Sequence, residues 1–425
     1  MKIHHWKRET CRLCGSKNLE KVLDLHPVPV GEKYSDTPFT EETQRFPIDL
    51  YNCKECQCIQ VLDNIDQDFL WSEYTYFSGQ TDSIVDHQDE FADYVVNNFN
   101  FGDSSKILDI GSNDGTLLSA FKKRGFEVFG VDPAETVAKV ARENGIDTLV
   151  SLFSDKIITK LPDNFRQLDL VTAFNVFAHS DDMEGMIKGV TSILKPEGVF
   201  CFEVQYLVPI LDKFLLGTIF HEHMIHYSVT SAKNFLEKNG MKIVDLQTNN
   251  IQKGSIIFYT VRKENPILVQ PIVSEFLDNE ASNGYLDGTK FISFAENIEN
   301  YKSNINSLKE KINKENLSLA GFGAARSGPT LAIQFELENC ISFLIDDHPS
   351  KQNKYAPFEN LKVESTDSIS TLKPDYIVIL AWIHTKRIIK QNINYLENGG
   401  TFITLWPNYN EINSSYYQDW LNEET

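Results

Sequence analysis

No apolar run in the 425 residues approaches the roughly 20 needed to cross a bilayer, so a membrane-spanning function is not expected. The opening MKIHHWKRETCRLCG has no apolar segment of a secretory leader, and a cytoplasmic location is the expectation. Cations are in short supply: 40 Lys and Arg face 60 Asp and Glu, a formal net charge of -20. A field of that sign repels polyphosphate, which argues against nucleic acid and anionic membranes as partners. A small anionic ligand would need locally arranged donors. Low-complexity tracts and sequence repeats are also missing. What remains is globular composition, 41% hydrophobic and 24% charged, long enough for two or three domains.

Cysteine is sparse but clustered. Of seven, five fall in the first sixty residues as Cys11, Cys14, Cys53, Cys56 and Cys58. In a reducing compartment, Cys11-x2-Cys14 and Cys53-x2-Cys56 read as a metal site, two thiolate-presenting turns that complete a tetrahedron about Zn2+. Four protein ligands leave no open position for water, so the zinc is expected to be structural; Cys58 competes with Cys56 for the fourth place. Residues 1–70 are rich in turn residues and poor in helical periodicity, as suits a small metal-stapled module that cannot fold without its metal.

Beyond it, the amphipathic IVDHQDEFADYVVNNF leads into alternating strands and helices. KILDIG, EVFGVDP, LDLVTAFNV and GVFCFEV read as parallel strands of a doubly wound α/β domain spanning 71–264. KIVDLQT and SIIFYTV lack a helical crossover and are expected to be antiparallel. Residues 265–425 read as a polar helical connector, over 271 to 316, followed by a second, Rossmann-like α/β unit from LSLAGFGAARSG onward.

The first chemical signal is LDIGSNDGTLL, a strand, a Gly-rich turn and a helix that carry Asp109, Gly111, Asn113, Asp114 and Gly115. The glycines let backbone approach a ligand, and the helix start offers free N–H groups. Asp132, followed by Pro133, ends the next strand about twenty residues on, where ribose hydroxyls find an acceptor in such folds. A dinucleotide site would show GxGxxG; GSNDG favours S-adenosylmethionine and a class I methyltransferase domain. Asn175 and His179 in FNVFAHSDD follow a strand whose carboxyl end faces the ligand crevice. In GTIFHEHMIHYS, His223 is a candidate general base, its tautomer held by a neighbouring carboxylate. The spacing HEHxxH does not put two His on one helical face, which argues against a catalytic metal.

Two further segments admit a bland and a functional reading. WSEYTYFSGQ, with Tyr74, Tyr76 and Phe77, is either a packed aromatic hinge or a lid whose Tyr76 polarises a substrate oxygen. GFGAARSG, with Gly323, Arg326 and Ser327, is either a plain turn or an anion cradle for a diphosphate.

Taken in order, the paired CxxC module, YTYFSG, GSNDGTLL, VDPA, NVFAH, the HEH cluster and the terminal GFGAARSG unit resemble the zinc-containing sugar C-methyltransferase family over nearly the whole chain. The resemblance implies methylation at C-3 of a nucleotide-linked 4-keto-6-deoxyhexose, with S-adenosylmethionine as donor and a structural zinc. It implies His223 as base supported by Glu222, with Tyr76 and His179 lining the same site. Two departures stand out: Phe220 replaces the family's Tyr before HEH, and IQKGS, with Lys253 and Ser255, replaces HGGS. The nucleotide-linked sugar is the expected partner, and the oligomeric state is expected to be a monomer or weak dimer. The alternatives are a methyltransferase for a sugar hydroxyl or amine, and a non-catalytic nucleotide-sugar binding protein.

Overall fold

The computed structural model describes residues 3–71, 74, 76–102 and 104–422. Zinc-module strands β1 (His5–Lys7) and β5 (Asp63–Ile65) pair with each other, while β2 (Leu19–Leu23), β3 (Leu50–Cys53) and β4 (Ile59–Val61) form an antiparallel meander. This meander takes its fourth strand, β11 (Ile225–His226), from the middle of the chain, paired to β4 through Ile225 opposite Gln60. The HEH segment is therefore tied to the module by main-chain hydrogen bonds two residues after His223.

The central sheet has seven strands: β6 (Lys106–Ile110), β7 (Glu127–Asp132), β8 (Thr148–Val150), β9 (Leu168–Phe174), β10 (Leu194–Gln205), β12 (Met241–Asn249) and β13 (Ser255–Arg262). Their spatial order is β12-β13-β10-β9-β6-β7-β8. The run from β10 to β8 is parallel, and β13 enters antiparallel between β10 and β12. This is the class I methyltransferase arrangement. Strands buried on both faces explain the unbroken apolar runs of the sequence, and Phe177, Phe200, Phe202 and Phe258 fill the core without solvent contact.

Pro271–Ser282 and Thr289–Glu315 form two helices rather than one continuous connector. Gly284 and Gly288, at φ of 75° and 93°, break the helix between them, because only glycine takes such angles without strain. The last sheet comprises β14 (Leu319–Phe322), β15 (Ile341–Ile345), β16 (Val363–Glu364), β17 (Tyr376–Ile379), β18 (Thr401–Thr404) and β19 (Asn410–Ile412). Its order is β16-β15-β14-β17-β18-β19, parallel except for β19, a Rossmann-like sheet. Among the described residues no helix is long and apolar enough to cross a membrane.

Candidate active site

The four Sγ atoms of Cys11, Cys14, Cys53 and Cys56 lie within 4.8 Å of one another, with Cys14 to Cys53 at 3.4 Å and Cys11 to Cys56 at 3.5 Å. Zn–S bonds of about 2.3 Å require tetrahedral edges of about 3.8 Å, so these thiolates would hold one Zn2+ with no place left for water. Gln60 Nε2 donates to Cys11 Sγ at 3.1 Å, an outer contact that orients the ligand. Cys58 is buried but lies outside the four-sulfur group, which decides its competition with Cys56.

Gly111, at φ 71°, opens the turn after β6; a Cβ there would lie 2.2 Å from Val176 Cγ2. A Cβ on Gly115 would lie 2.9 Å from Ile146 Cγ1. Ser112 Oγ in this turn is buried without a hydrogen-bond partner among the described residues and lies against Gly130 of β7, where an added Cβ would come within 2.4 Å of it. The Asp132 carboxylate accepts from the backbone N–H of Asn113 at 2.9 Å and of Ala134, beyond Pro133, at 2.8 Å, and burial raises its pKa to about 6. Asp109 accepts from Thr172 Oγ1 at 2.7 Å, tying β6 to β9, and burial raises its pKa to about 7.

The side chains of Asn113 and Asp114 are engaged by the aromatic segment. Asn113 Oδ1 accepts from Ser78 N at 3.0 Å, Asn113 Nδ2 donates to the Tyr76 carbonyl at 3.0 Å, and Asp114 Oδ2 accepts from Gly79 N at 2.8 Å. They clamp the segment beside Phe77 to the glycine-rich turn after β6. Tyr76 itself is 43% exposed.

Three rings then form a stack that sequence patterning did not single out. His179 lies between Trp71, at 5.5 Å, and His223, at 5.1 Å, both nearly parallel to it. Phe220 closes on His223 at 4.0 Å between centroids. Burial holds His179 well below the ordinary imidazole range and lowers His223 to about 4, so both rings are neutral at neutral pH. His223 Nδ1 lies 2.7 Å from the Thr218 carbonyl, which can only accept; Nδ1 therefore carries the proton and Nε2 is left as a base. His221 packs its ring edge-on against Phe46 in the zinc module, and His226 is buried in β11. Asn175, at φ 55°, turns the chain after β9, its N–H donating to the Glu203 carbonyl.

Glu222 differs from the sequence expectation: its carboxylate accepts from Arg326 at 2.8 Å, and the His223 tautomer is set by a backbone carbonyl instead. Both sit at the end of a turn closed by His223 N donating to the Phe220 carbonyl, from which Glu222 faces the C-terminal unit and His223 the stack. The expected anion cradle around Arg326 is likewise neutralised from within. Its guanidinium pairs with Glu32 at 3.0 Å as well as with Glu222, and lies 4.6 Å over the Tyr74 ring; Lys351 pairs with Glu32 at 3.1 Å. Ser327 is buried at the start of the following helix. A Cβ on Gly323 would lie 2.4 Å from Ala381 Cβ, so that glycine is required by close approach of two chain segments. Glu32, Lys351 and Thr218 carried no local sequence signal, the first two acting through partners distant in the chain and Thr218 through its backbone; Trp71 opens the WSEYTYFSGQ segment, but its stacking on His179 has no local mark.

Lys253 lies in a different environment. Its Nζ is 4.6 Å from the Trp406 ring centre, and burial together with Lys213 and Lys386 lowers its pKa. With His384, Lys386 and Arg387 it lines a cavity of about 110 Å³ just beyond the carboxyl ends of β17 and β18. Lys253 takes φ 69°, which accounts for glycine at this position in the HGGS pattern. Ser255, opposite Gln205 at the start of β13, donates to the Ile251 carbonyl.

Three family descriptions match in sequence along the chain: "Putative zinc binding domain" over residues 11–71, "Methyltransferase domain" over 85–246, and "C-methyltransferase C-terminal domain" over 250–407. The C-methyltransferase NovU of Streptomyces niveus is 30% identical over 401 residues, 94% of this chain and 96% of that protein. The ubiquinone biosynthesis O-methyltransferase of Idiomarina loihiensis is 30% identical over 125 residues, 28% of this chain and 49% of that protein.

Proposed function

The chain belongs to the zinc-containing C-methyltransferase family, and on that premise we propose that it methylates the carbon beside the ketone, C-3, of a nucleotide-linked 4-keto-6-deoxyhexose, with His223 as general base. It is an S-adenosylmethionine-dependent methyltransferase; when bound, the donor supplies an electrophilic sulfonium methyl. The observation that carries the proposal is the His223 ring, neutral, stacked on His179, with Nδ1–H donating to the Thr218 carbonyl so that Nε2 is the unprotonated nitrogen.

His223 Nε2 takes the proton from the carbon next to the ketone, and the C–H electron pair delocalises onto the ketone oxygen. The enolate carbon then forms the new bond to the methyl. His179, itself stacked on Trp71, holds the base ring from one face. Glu222 anchors the segment through Arg326, and Phe220 packs against the base where a phenol would otherwise reach substrate. Tyr76, whose backbone carbonyl accepts from Asn113, is assigned to polarise a substrate oxygen from the lid side. The cationic cavity at Lys253 and Arg387, in a chain of net charge -20, supports a phosphate-bearing acceptor.

The test is incubation with S-adenosylmethionine and dTDP-, GDP- and CDP-linked 4-keto-6-deoxyhexoses, followed by mass spectrometry and NMR. His223→Asn should abolish turnover while donor affinity, read by calorimetry, stays near wild type. Full turnover in that variant would sink the base assignment.

A further inference from the structure

Gln205 ends β10 and is 8% exposed, yet neither Oε1 nor Nε2 has a hydrogen-bond partner among the described residues. A buried carboxamide left without partners carries a desolvation penalty at both atoms, and such groups in folded proteins call for an explanation. Its place supplies one. Ligands of open α/β sheets bind outside the carboxyl ends of the strands. The Gly111 turn follows β6, and β10 lies two strands away on the side opposite β7 and Asp132, about 10 Å at normal strand spacing. Gln205 thus sits at the carboxyl end of its strand, on the side of the crevice away from Asp132. It shares a face of β10 with Glu203, whose carboxylate is fully occupied by His87 at 2.9 Å and Asn249 at 2.8 Å. On its flanks are the Asn175 turn, bonded to β10 through the Glu203 carbonyl, and Ser255, directly opposite in β13.

A carboxamide offers one acceptor oxygen and one donor nitrogen side by side. Its complement is a ligand edge with a donor next to an acceptor, and a hydroxyl beside a ketone has that form. We propose that Gln205 is a specificity-determining residue that reads an α-hydroxy ketone edge of the acceptor: the substrate hydroxyl donates to Oε1, and Nε2 donates to the ketone oxygen. The assignment rests on the keto-sugar reading above. It adds a second contact at the oxygen where enolate charge develops, and it makes the substituent beside the ketone part of substrate selection.

Gln205→Met keeps the volume and removes both polar atoms. Three quantities decide the matter: the melting temperature of the ligand-free protein, the donor dissociation constant, and kcat/KM for paired keto-sugars with and without the hydroxyl beside the ketone. The expected result is an unchanged or raised melting temperature, unchanged donor affinity, and a roughly ten- to hundredfold loss of kcat/KM on the hydroxy ketone. The loss on the analogue without the hydroxyl should be smaller, so that discrimination between the two acceptors falls. A lowered melting temperature would make Gln205 structural, and weakened donor binding would move it to the donor site. Equal or absent loss on both acceptors would overturn the proposal while leaving the keto-sugar reading intact. Wild-type protein inactive on every keto-sugar would instead sink that reading and the hydroxy-ketone assignment with it.

Discussion

Replacing Arg326 by Met would test whether the buried charges at the meeting point of all three parts of the chain hold them together. Arg326 comes from the C-terminal unit, Glu32 from the zinc module and Glu222 from the methyltransferase domain; their side chains are 19%, 17% and 4% exposed. Charges about 3 Å apart in an effective dielectric near 20 attract by about 5 kcal/mol, much of it offset by desolvation. Removing one partner is costlier than the net value of the pair, because it strands a buried carboxylate, and about 3–5 kcal/mol is the expected loss. The assay is urea unfolding followed by tryptophan fluorescence. Burial already raises the Glu222 pKa, with Arg326 opposing it. Without Arg326 that carboxyl is neutral over a wider range. A carboxyl whose folded pKa lies above its unfolded value contributes stability that is lost as pH rises through the folded pKa. The penalty should therefore be larger at pH 8 than at pH 5, and Glu32→Gln combined with Arg326→Met should cost less than the sum of the single changes. A loss below about 1 kcal/mol, or one equal at the two pH values and strictly additive, would refute the reasoning.

Burial lowers His223 to about 4, so the base is unprotonated above that pH; the acid limb of kcat/KM should fall below pH 5, and a limb centred at the ordinary imidazole value would contradict the assignment. Cys56→Ser should lose the zinc found by metal analysis of the purified protein, whereas Cys58→Ser should retain one zinc per chain; the reverse pattern would reassign the fourth ligand. Glu280 accepts from Tyr206 Oη, from the backbone N–H groups of Val229 and Thr230, and from Thr230 Oγ1, so it caps the helix that follows β11. Glu280→Leu should cost about 2–4 kcal/mol in urea unfolding by orphaning these donors, and an unchanged midpoint would show the cap to be dispensable.

The fold was legible where a local pattern has a local cause. Both CxxC turns announce their geometry within four residues, and the GSNDG turn needs glycine at positive φ wherever it occurs. The absence of a helical crossover between KIVDLQT and SIIFYTV was enough to read β12 and β13 as antiparallel, as they are. The site was legible only in part. His179 and His223 could be named, but their stack depends on Trp71, brought in from more than a hundred residues away. The Arg326 turn read as an anion cradle because its two carboxylate partners lie 104 and 294 residues distant and nothing local marks them. For the same reason nothing local showed that the strand after HEH pairs with a zinc-module strand and that Glu222 belongs to an ion pair with the C-terminal unit.

The most direct test of carbon methylation is transfer from S-adenosylmethionine labelled with 13C at the methyl, using an accepted nucleotide-linked keto-sugar in deuterated water. NMR should show the label bonded to the carbon beside the ketone, which no longer carries its original hydrogen. A label bonded to oxygen or nitrogen, with that hydrogen retained, would contradict the central claim.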